Sequence, residues 1–187
     1  MSSKSIKTAQ SIVGSNYDGG RPRNDFYPTP SRGTLALLGV ESFSGAIWEP
    51  ACGDGAMSVV LESAGYDVVS TDLEPRGYGV QGDFFLYGCL LAPNIVTNPP
   101  FRLAQEFADR CLSLGCTKLA LLCKLSFLEG KKRGKWFPST PLKSVHVFSE
   151  RLTMTRNGEP LRSSGMIAFA WYVWERGYLG KPNINWI

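Results

Sequence analysis

Asn94-Ile95-Val96-Thr97-Asn98-Pro99-Pro100-Phe101 is the stretch on which the fold turns. Its first four residues read as a short buried strand, and a helix-like stretch from about 102 to 114 follows. The last four therefore sit where a strand hands over to a helix. That is the carboxyl edge of a parallel sheet, where open α/β sheets bind ligands. Two consecutive prolines remove two backbone donors and fix two φ angles. What remains is a stiff turn with bare carbonyl oxygens, one Asn amide and one aromatic face. Such a set suits a planar amine, although the same four residues also describe a tight Pro-Pro turn with a core Phe.

Upstream, Gly45-Ala46-Ile47-Trp48-Glu49-Pro50 reads as a first strand running into Ala51-Cys52-Gly53-Asp54-Gly55 and a helix from about 56 to 64. Strand, glycine turn and helix open a nucleotide-binding βαβ unit. The spacing Gly53-x-Gly55-x-x-Ser58 lacks the third glycine of the dinucleotide fingerprint, and a lone glycine pattern is weak. Glu49 and Asp54 would repel a pyrophosphate and suit a cationic amino-acid ligand. The second strand, Tyr66 to Asp72, ends in an acid 19 residues after Gly53, where a carboxylate grips ribose hydroxyls. Gly82-Asp83-Phe84-Phe85 follows a glycine-rich turn. Before the first strand, Asp25-Phe26-Tyr27-Pro28-Thr29-Pro30 is an extended lead-in, because each proline pushes the residue before it toward extended backbone. Ser31 to Val40 then reads as a short helix.

Taken in order, these segments resemble the amino-methylating, S-adenosylmethionine (SAM) dependent DNA methyltransferases of the adenine-specific kind. From about residue 25 to 176 the chain is similar to the small phage-type members of that family, found in bacteriophages. The resemblance implies an α/β, Rossmann-like class I methyltransferase fold: a seven-stranded, mostly parallel sheet with a C-terminal antiparallel hairpin. It implies that Tyr27 and Thr29 pack over the methionine end of SAM. Glu49, Ala51, Gly53 and Gly55 form the cofactor loop, and Asp72 with Leu73 holds the ribose. Asp83 takes the cofactor's adenine amino group, with Phe84 flanking the ring; the sequence does not separate Phe84 from Phe85. Asn98 touches the cofactor and accepts one N–H of the target amine. The Pro99 carbonyl accepts the other, Pro100 stiffens the turn, and Phe101 stacks on the base. The partner implied is DNA, either duplex with a flipped adenine or single-stranded.

Composition is compatible with this. The chain has 187 residues, 43% apolar and 19% charged, which fits one soluble globular domain over 25–187. Residues 1–24 are Ser-, Lys- and Gly-rich and are expected to form a flexible arm. No apolar run of about 18 residues exists and the first ten residues are polar, so neither a membrane span nor a signal peptide is expected, and a cytoplasmic location is. Five cysteines without a C-x-x-C pair and a single histidine, His146, give no zinc spacing, so no metal is expected. His146 lies in an alternating strand-like stretch and reads as structural.

The net charge of +4 permits a nucleic-acid partner without demanding one. Lys131, Lys132, Arg133 and Lys135 cluster in a segment flanked by aromatics, which reads as a loop for phosphate contact and base stacking. Arg151, Arg156 and Arg162, around Asn157-Gly158, extend the patch at a hairpin tip. Further strands are expected at about 117–124, 143–149 and 165–174, and the tail 176–187 is expected to be coil with Trp186 tucked in. No stretch remains for a separate target-recognition domain, so a short or relaxed target is expected. Three other readings share these motifs: methylation of RNA adenine or protein glutamine, a non-catalytic nucleic-acid binder, and a nicotinamide-dependent oxidoreductase.

Overall fold

The structure, a computed structural model, describes residues 26–156, 159–160 and 167–187. The expected arm 1–24, with Asp25, Asn157, Gly158 and Arg162, lies outside the described residues. The strands are β1 (Ile47–Glu49), β2 (Val68–Asp72), β3 (Val80–Gln81), β4 (Asn94–Thr97), β5 (Lys118–Lys124), β6 (Leu142–Val147), β7 (Thr155–Arg156), β8 (Glu159–Pro160), β9 (Phe169–Glu175) and β10 (Asn183–Trp186). The helices are α1 (Ser31–Leu38), α2 (Ser58–Ser63), α3 (Ala104–Ser113) and α4 (Lys131–Trp136).

Eight of these strands form one sheet in the order β10-β6-β9-β5-β4-β1-β2-β3, while β7 and β8 pair separately as the expected hairpin. The chain winds outward from β1 through β2 to β3. It then returns to β4 and proceeds the other way. The switch between β1 and β4 opens a crevice at the carboxyl ends of both strands. Only β9 runs antiparallel, inserted between β5 and β6.

Alternation along the strands builds a core on each face. On β9, Ala170, Tyr172 and Trp174 join one cluster, with Phe107 and Cys111 of α3. Phe169, Trp171 and Val173 join the other, with Leu37 of α1 and Leu61 of α2. In α3 the buried residues are Ala104, Phe107, Ala108 and Cys111, the i, i+3, i+4, i+7 stripe of a helix lying on a sheet. Each fully buried indole N–H has a partner: Trp48 donates to Thr71 Oγ1 at 2.9 Å, Trp171 to the Gly33 carbonyl at 2.8 Å and Trp174 to Thr140 Oγ1 at 3.0 Å.

Two expectations are corrected. The tail is not coil: β10 pairs in parallel with β6 from Asn183↔Ser144 to Trp186↔Val147, giving an eighth strand, and Trp186 is 70% exposed rather than tucked in. The strand is only four residues long, Asn183-Ile184-Asn185-Trp186, so its polar–apolar alternation is too brief to stand out, and its pairing with β6 fixes it. The basic segment is not a loop either. Lys131–Trp136 is helical because Trp136 and Phe137 anchor its end on Tyr172 and Trp174, with Trp136 Nε1 bonded to Asp109 Oδ1 at 2.6 Å.

At the amino ends of the parallel strands, a buried polar cluster ties four distant segments together. Glu41 accepts from Lys118 Nζ at 3.0 Å, Ser144 Oγ at 3.0 Å and His146 Nε2 at 2.9 Å. Lys118 and Lys143 also pair with Glu175, at 3.3 and 2.7 Å. His146 is 3% exposed and structural, as expected. Burial pushes the Glu41 carboxyl up, but its bonds from His146, Lys118 and Ser144 and the Lys118 charge outweigh that and hold it at about 2. Because its folded value lies below its ordinary 4.5, the stabilisation is complete above the ordinary value and lost as pH falls toward about 2. Chemical denaturation across that window is expected to show stability falling with acidification. Glu41→Gln is expected to lose about 1–3 kcal/mol at neutral pH and to flatten the acid slope.

Candidate active site

The crevice between β1 and β4 deepens into a cavity of about 250 Å³. Its walls come from the segment before α1 (Phe26, Tyr27, Pro28, Thr29), the loop after β1 (Glu49 to Cys52, Asp54), the ends of β2 and β3 (Asp72, Leu73, Arg76, Asp83 to Phe85) and the turn after β4 (Asn98, Pro100). Met57, Leu103 and Phe107 supply apolar floor. Of the fourteen residues expected at the cofactor and target, Tyr27, Thr29, Glu49, Ala51, Asp72, Leu73, Asp83, Phe84, Asn98 and Pro100 line this one cavity.

Four of the fourteen do not line it: Gly53, Gly55, Pro99 and Phe101. The glycines act from behind. Gly53 has φ +58° and donates its N–H to Asp72 Oδ2 at 2.8 Å, which locks the loop to the end of β2. A Cβ there would strike the Phe26 ring, and a Cβ on Gly55 (φ +83°) would strike Tyr78. The loop therefore needs glycine twice over, for backbone and for space. Asp72 also caps Glu74 N at 2.8 Å, and Asp83 Oδ1 accepts from Phe85 N at 2.9 Å, so both acids are held in place by local backbone.

Phe84 is at once core and cavity wall. It is 3% exposed and stacks on Phe107 with centroids 4.5 Å apart, while the neighbouring Phe85 is 37% exposed at the rim. The 3-10 turn over Phe84–Leu86 points one ring inward and leaves the next out.

Asn98 is the hinge of the site. Its Nδ2 donates to the Tyr27 carbonyl at 3.3 Å and to Thr29 Oγ1 at 3.1 Å. Its Oδ1 is buried and has no protein partner. The two bonds use both amide protons, and the Tyr27 carbonyl can only accept, so the amide oxygen is forced to be the free end. The Phe101 ring packs beside Tyr27 (6.2 Å, 16°) and Phe169 (5.6 Å), with Lys124 Nζ 5.0 Å over it.

The cavity's electrostatics are acidic. Glu49 is 2% exposed and accepts a hydrogen bond from Ser58. Burial drives its pKa well above the ordinary 4.5, against the Ser58 bonds, and the nearby Asp72 and Asp54 add to the rise. The same burial, with Glu49 and Asp72 close by, pushes the Cys52 thiol up to about 12 and keeps it neutral. Asp54, Asp72 and Asp83 join Glu49 on the walls, against one cationic side chain, Arg76, whose guanidinium lies 4.1 Å over Phe26. Phe26, Arg76 and Ser58 were not foreseen as site residues. Phe26 stands in the quoted lead-in beside Tyr27, but nothing local marks its contact with an arginine fifty positions on. Among the described residues no group of three or more His, Cys, Asp or Glu side chains could hold a metal ion.

The basic patch is thinner than expected. Lys131, Lys132 and Lys135 are exposed, but Arg133 turns back over Phe127 at 5.3 Å. Phe127, Trp136 and Phe137 pack into the core cluster and are not open for base stacking. Arg156 lies in β7, and its side chain is outside the described residues. Gly65, with φ +91° and nothing within 4 Å of an added Cβ, measures the backbone strain alone. Thermal unfolding is expected to show Gly65→Ala costing about 1 kcal/mol, with Gly53→Ala and Gly55→Ala costing distinctly more because their rings must move.

No protein-family model and no curated protein sequence matches the chain. Solved structures do. A Pyrococcus horikoshii protein assigned as an RNA methyltransferase is 14% identical with TM-score 0.57, covering 89% of this chain and 95% of that one. A dimethyladenosine transferase from Plasmodium falciparum is 13% identical with TM-score 0.51, covering 78% of this chain and 60% of its own. A magnesium protoporphyrin IX methyltransferase from Synechocystis, solved with bound SAM, is 14% identical with TM-score 0.51, covering 77% of each. The chain has the fold of class I SAM-dependent methyltransferases.

Proposed function

We propose that this chain transfers a methyl group from SAM to the exocyclic amino group of adenine in DNA. The observation that carries the proposal is the Asn98 amide: both protons are committed to the chain, and a buried acceptor oxygen is left without a partner on the wall of an acidic cavity. A buried acceptor left unpaired is costly, and a ligand N–H would relieve it.

The residues fit SAM better than a dinucleotide. Three aspartates, with Glu49 buried beside them, against one guanidinium disfavour a pyrophosphate and favour a cationic nucleoside with an amino-acid tail, whose ammonium would also draw Glu49 back to its charged form. Glu49, with Asp54 near, suits the ammonium of that tail; Asp72 suits ribose hydroxyls, and Asp83 an adenine amino group. Bound there, SAM supplies a sulfonium methyl as the electrophile, so no activated Ser, Cys or His is required.

An aromatic amine is a poor nucleophile because its lone pair is delocalised into the ring. The Asn98 oxygen accepts one N–H and the Pro99 carbonyl the other, which helps the nitrogen pyramidalise. Phe101 offers the base a stacking face, worth about 1–3 kcal/mol. Pro99 and Pro100 keep both acceptors from relaxing, so most of the rate gain comes from positioning and charge complementarity. A base inside a duplex cannot reach this turn, so it is flipped out or presented on a single strand. The exposed Lys131, Lys132 and Lys135 contribute charge for the phosphate backbone.

Asn98→Ala is expected to lower methyl transfer at least 100-fold and, by calorimetry, SAM affinity by a clearly smaller factor, since it removes the acceptor oxygen used in the transition state and also releases the Tyr27–Thr29 latch that walls the cavity. Equal losses in both would remove the assigned role. Labelled-methyl transfer assayed side by side on duplex DNA, single-stranded DNA, RNA and protein is expected to favour DNA; transfer to RNA or to glutamine alone would correct the substrate. SAM affinity is also expected to weaken as pH falls through the raised pKa of Glu49, because protonation removes the partner of the ligand's ammonium. Glu49→Gln should remove that dependence.

A further inference from the structure

Lys124 stands where β5 ends, at the mouth of the turn that carries Phe101. Its backbone is fixed: it pairs with Phe169 across to β9, and its carbonyl accepts from Tyr172 Oη at 3.2 Å. Its side chain is not fixed in the same way. Lys118 and Lys143 hold carboxylates at 3.3 Å or less, whereas the Lys124 ammonium has no ion-pair partner among the described residues. Its neighbour is the ring of Phe101, 5.0 Å from Nζ to the centroid. Phe101 is only half-buried, and Tyr27 and Phe169 already take up other parts of its surround.

A base that stacks on Phe101 therefore meets this ammonium. A cation over a benzene ring is a weak, readily exchanged contact. A nucleotide brings a better partner, since each base carries a phosphate with it and an ammonium is a compact point charge suited to phosphate. We propose that Lys124 is a phosphate-binding residue for the extruded nucleotide. Its ammonium leaves the Phe101 ring as the base arrives and takes a phosphate flanking that base, so that the two exchange places on the ring. The flexible four-carbon stem does the moving, while the strand beneath it stays paired. The inference rests on the function proposed above and adds to it a contact with the nucleic-acid backbone, distinct from the diffuse charge of α4.

The test measures oligonucleotide affinity of the full chain against salt, with SAM affinity and thermal unfolding as controls for folding. Adenine-containing duplexes and single strands are the probes. Lys124→Met is expected to weaken binding several-fold at low salt and to reduce the slope of log affinity against log salt by about 0.9 on duplex, or about 0.7 on single strands, one phosphate's worth of released counterions. Lys124→Arg is expected to keep the wild-type slope. Lys181→Met, an exposed lysine at the foot of β10, is expected to change neither and controls for loss of charge in general. If Lys124→Met unfolds, Lys124→Gln takes its place in the same series. An unchanged slope in a folded Lys124 variant overturns the inference while leaving methyl transfer to DNA intact. A wild-type chain that binds SAM but methylates no nucleic acid overturns the proposed function instead, and this contact with it.

Discussion

The site depends on a latch between two segments about seventy residues apart. The Asn98 amide reaches back to Tyr27 and Thr29, and in doing so it both fastens the lead-in of the chain across the crevice and decides which way its own oxygen faces. The prolines on one side and Pro28 and Pro30 on the other make both ends of the latch stiff. Two rigid, donor-poor segments facing one another have few ways to satisfy themselves. An unfilled acceptor is the residue of that shortage, and it lies where a ligand can use it.

The molecule keeps its two sets of buried charge at opposite ends of the sheet. The amino-end cluster around Glu41 is closed: acids and bases are matched, and the carboxyl is held ionised. The carboxyl-end cavity is open in the electrostatic sense, with Glu49 buried among other acids and driven toward its neutral form. One end serves cohesion, while the other gathers acids with a single guanidinium among the cavity-lining side chains. The two carboxylates have the same intrinsic chemistry; deeper burial among acids raises one, and bonds from His146, Lys118 and Ser144 lower the other.

How much of this could be read in the sequence follows from what leaves a local signature. The central strands did, because residues such as Phe169 to Trp174 are buried on both faces and must be apolar throughout. The loop after β1 and the turn after β4 did, because glycine and proline encode backbone geometry directly. Strands β3 and β10 did not: each is short and exposed, and each exists only because a neighbour offers hydrogen bonds. The basic segment misled because Gly130, Gly134 and a run of cations look like a loop, whereas distant Tyr172 and Trp174 make it a helix. The surroundings of Phe101 have no local signature: Tyr27, Phe169 and Lys124 are each brought to its ring by the sheet and by the latch.

The position of β9 has a bearing on how the chain is made. It is the seventh strand of the sheet in order of synthesis, and it slots between two that precede it, β5 and β6. Until residue 175 has left the ribosome, those two strands have nothing between them. Each presents bare backbone and, on β5, a row of leucines. From the completion of β5 until the arrival of β9 the nascent polypeptide therefore carries unpaired edges, and it seals them in a single late step, when Trp171 and Trp174 arrive together with Glu175. A chain stopped short of that strand would be an aggregating fragment rather than a smaller version of the same fold.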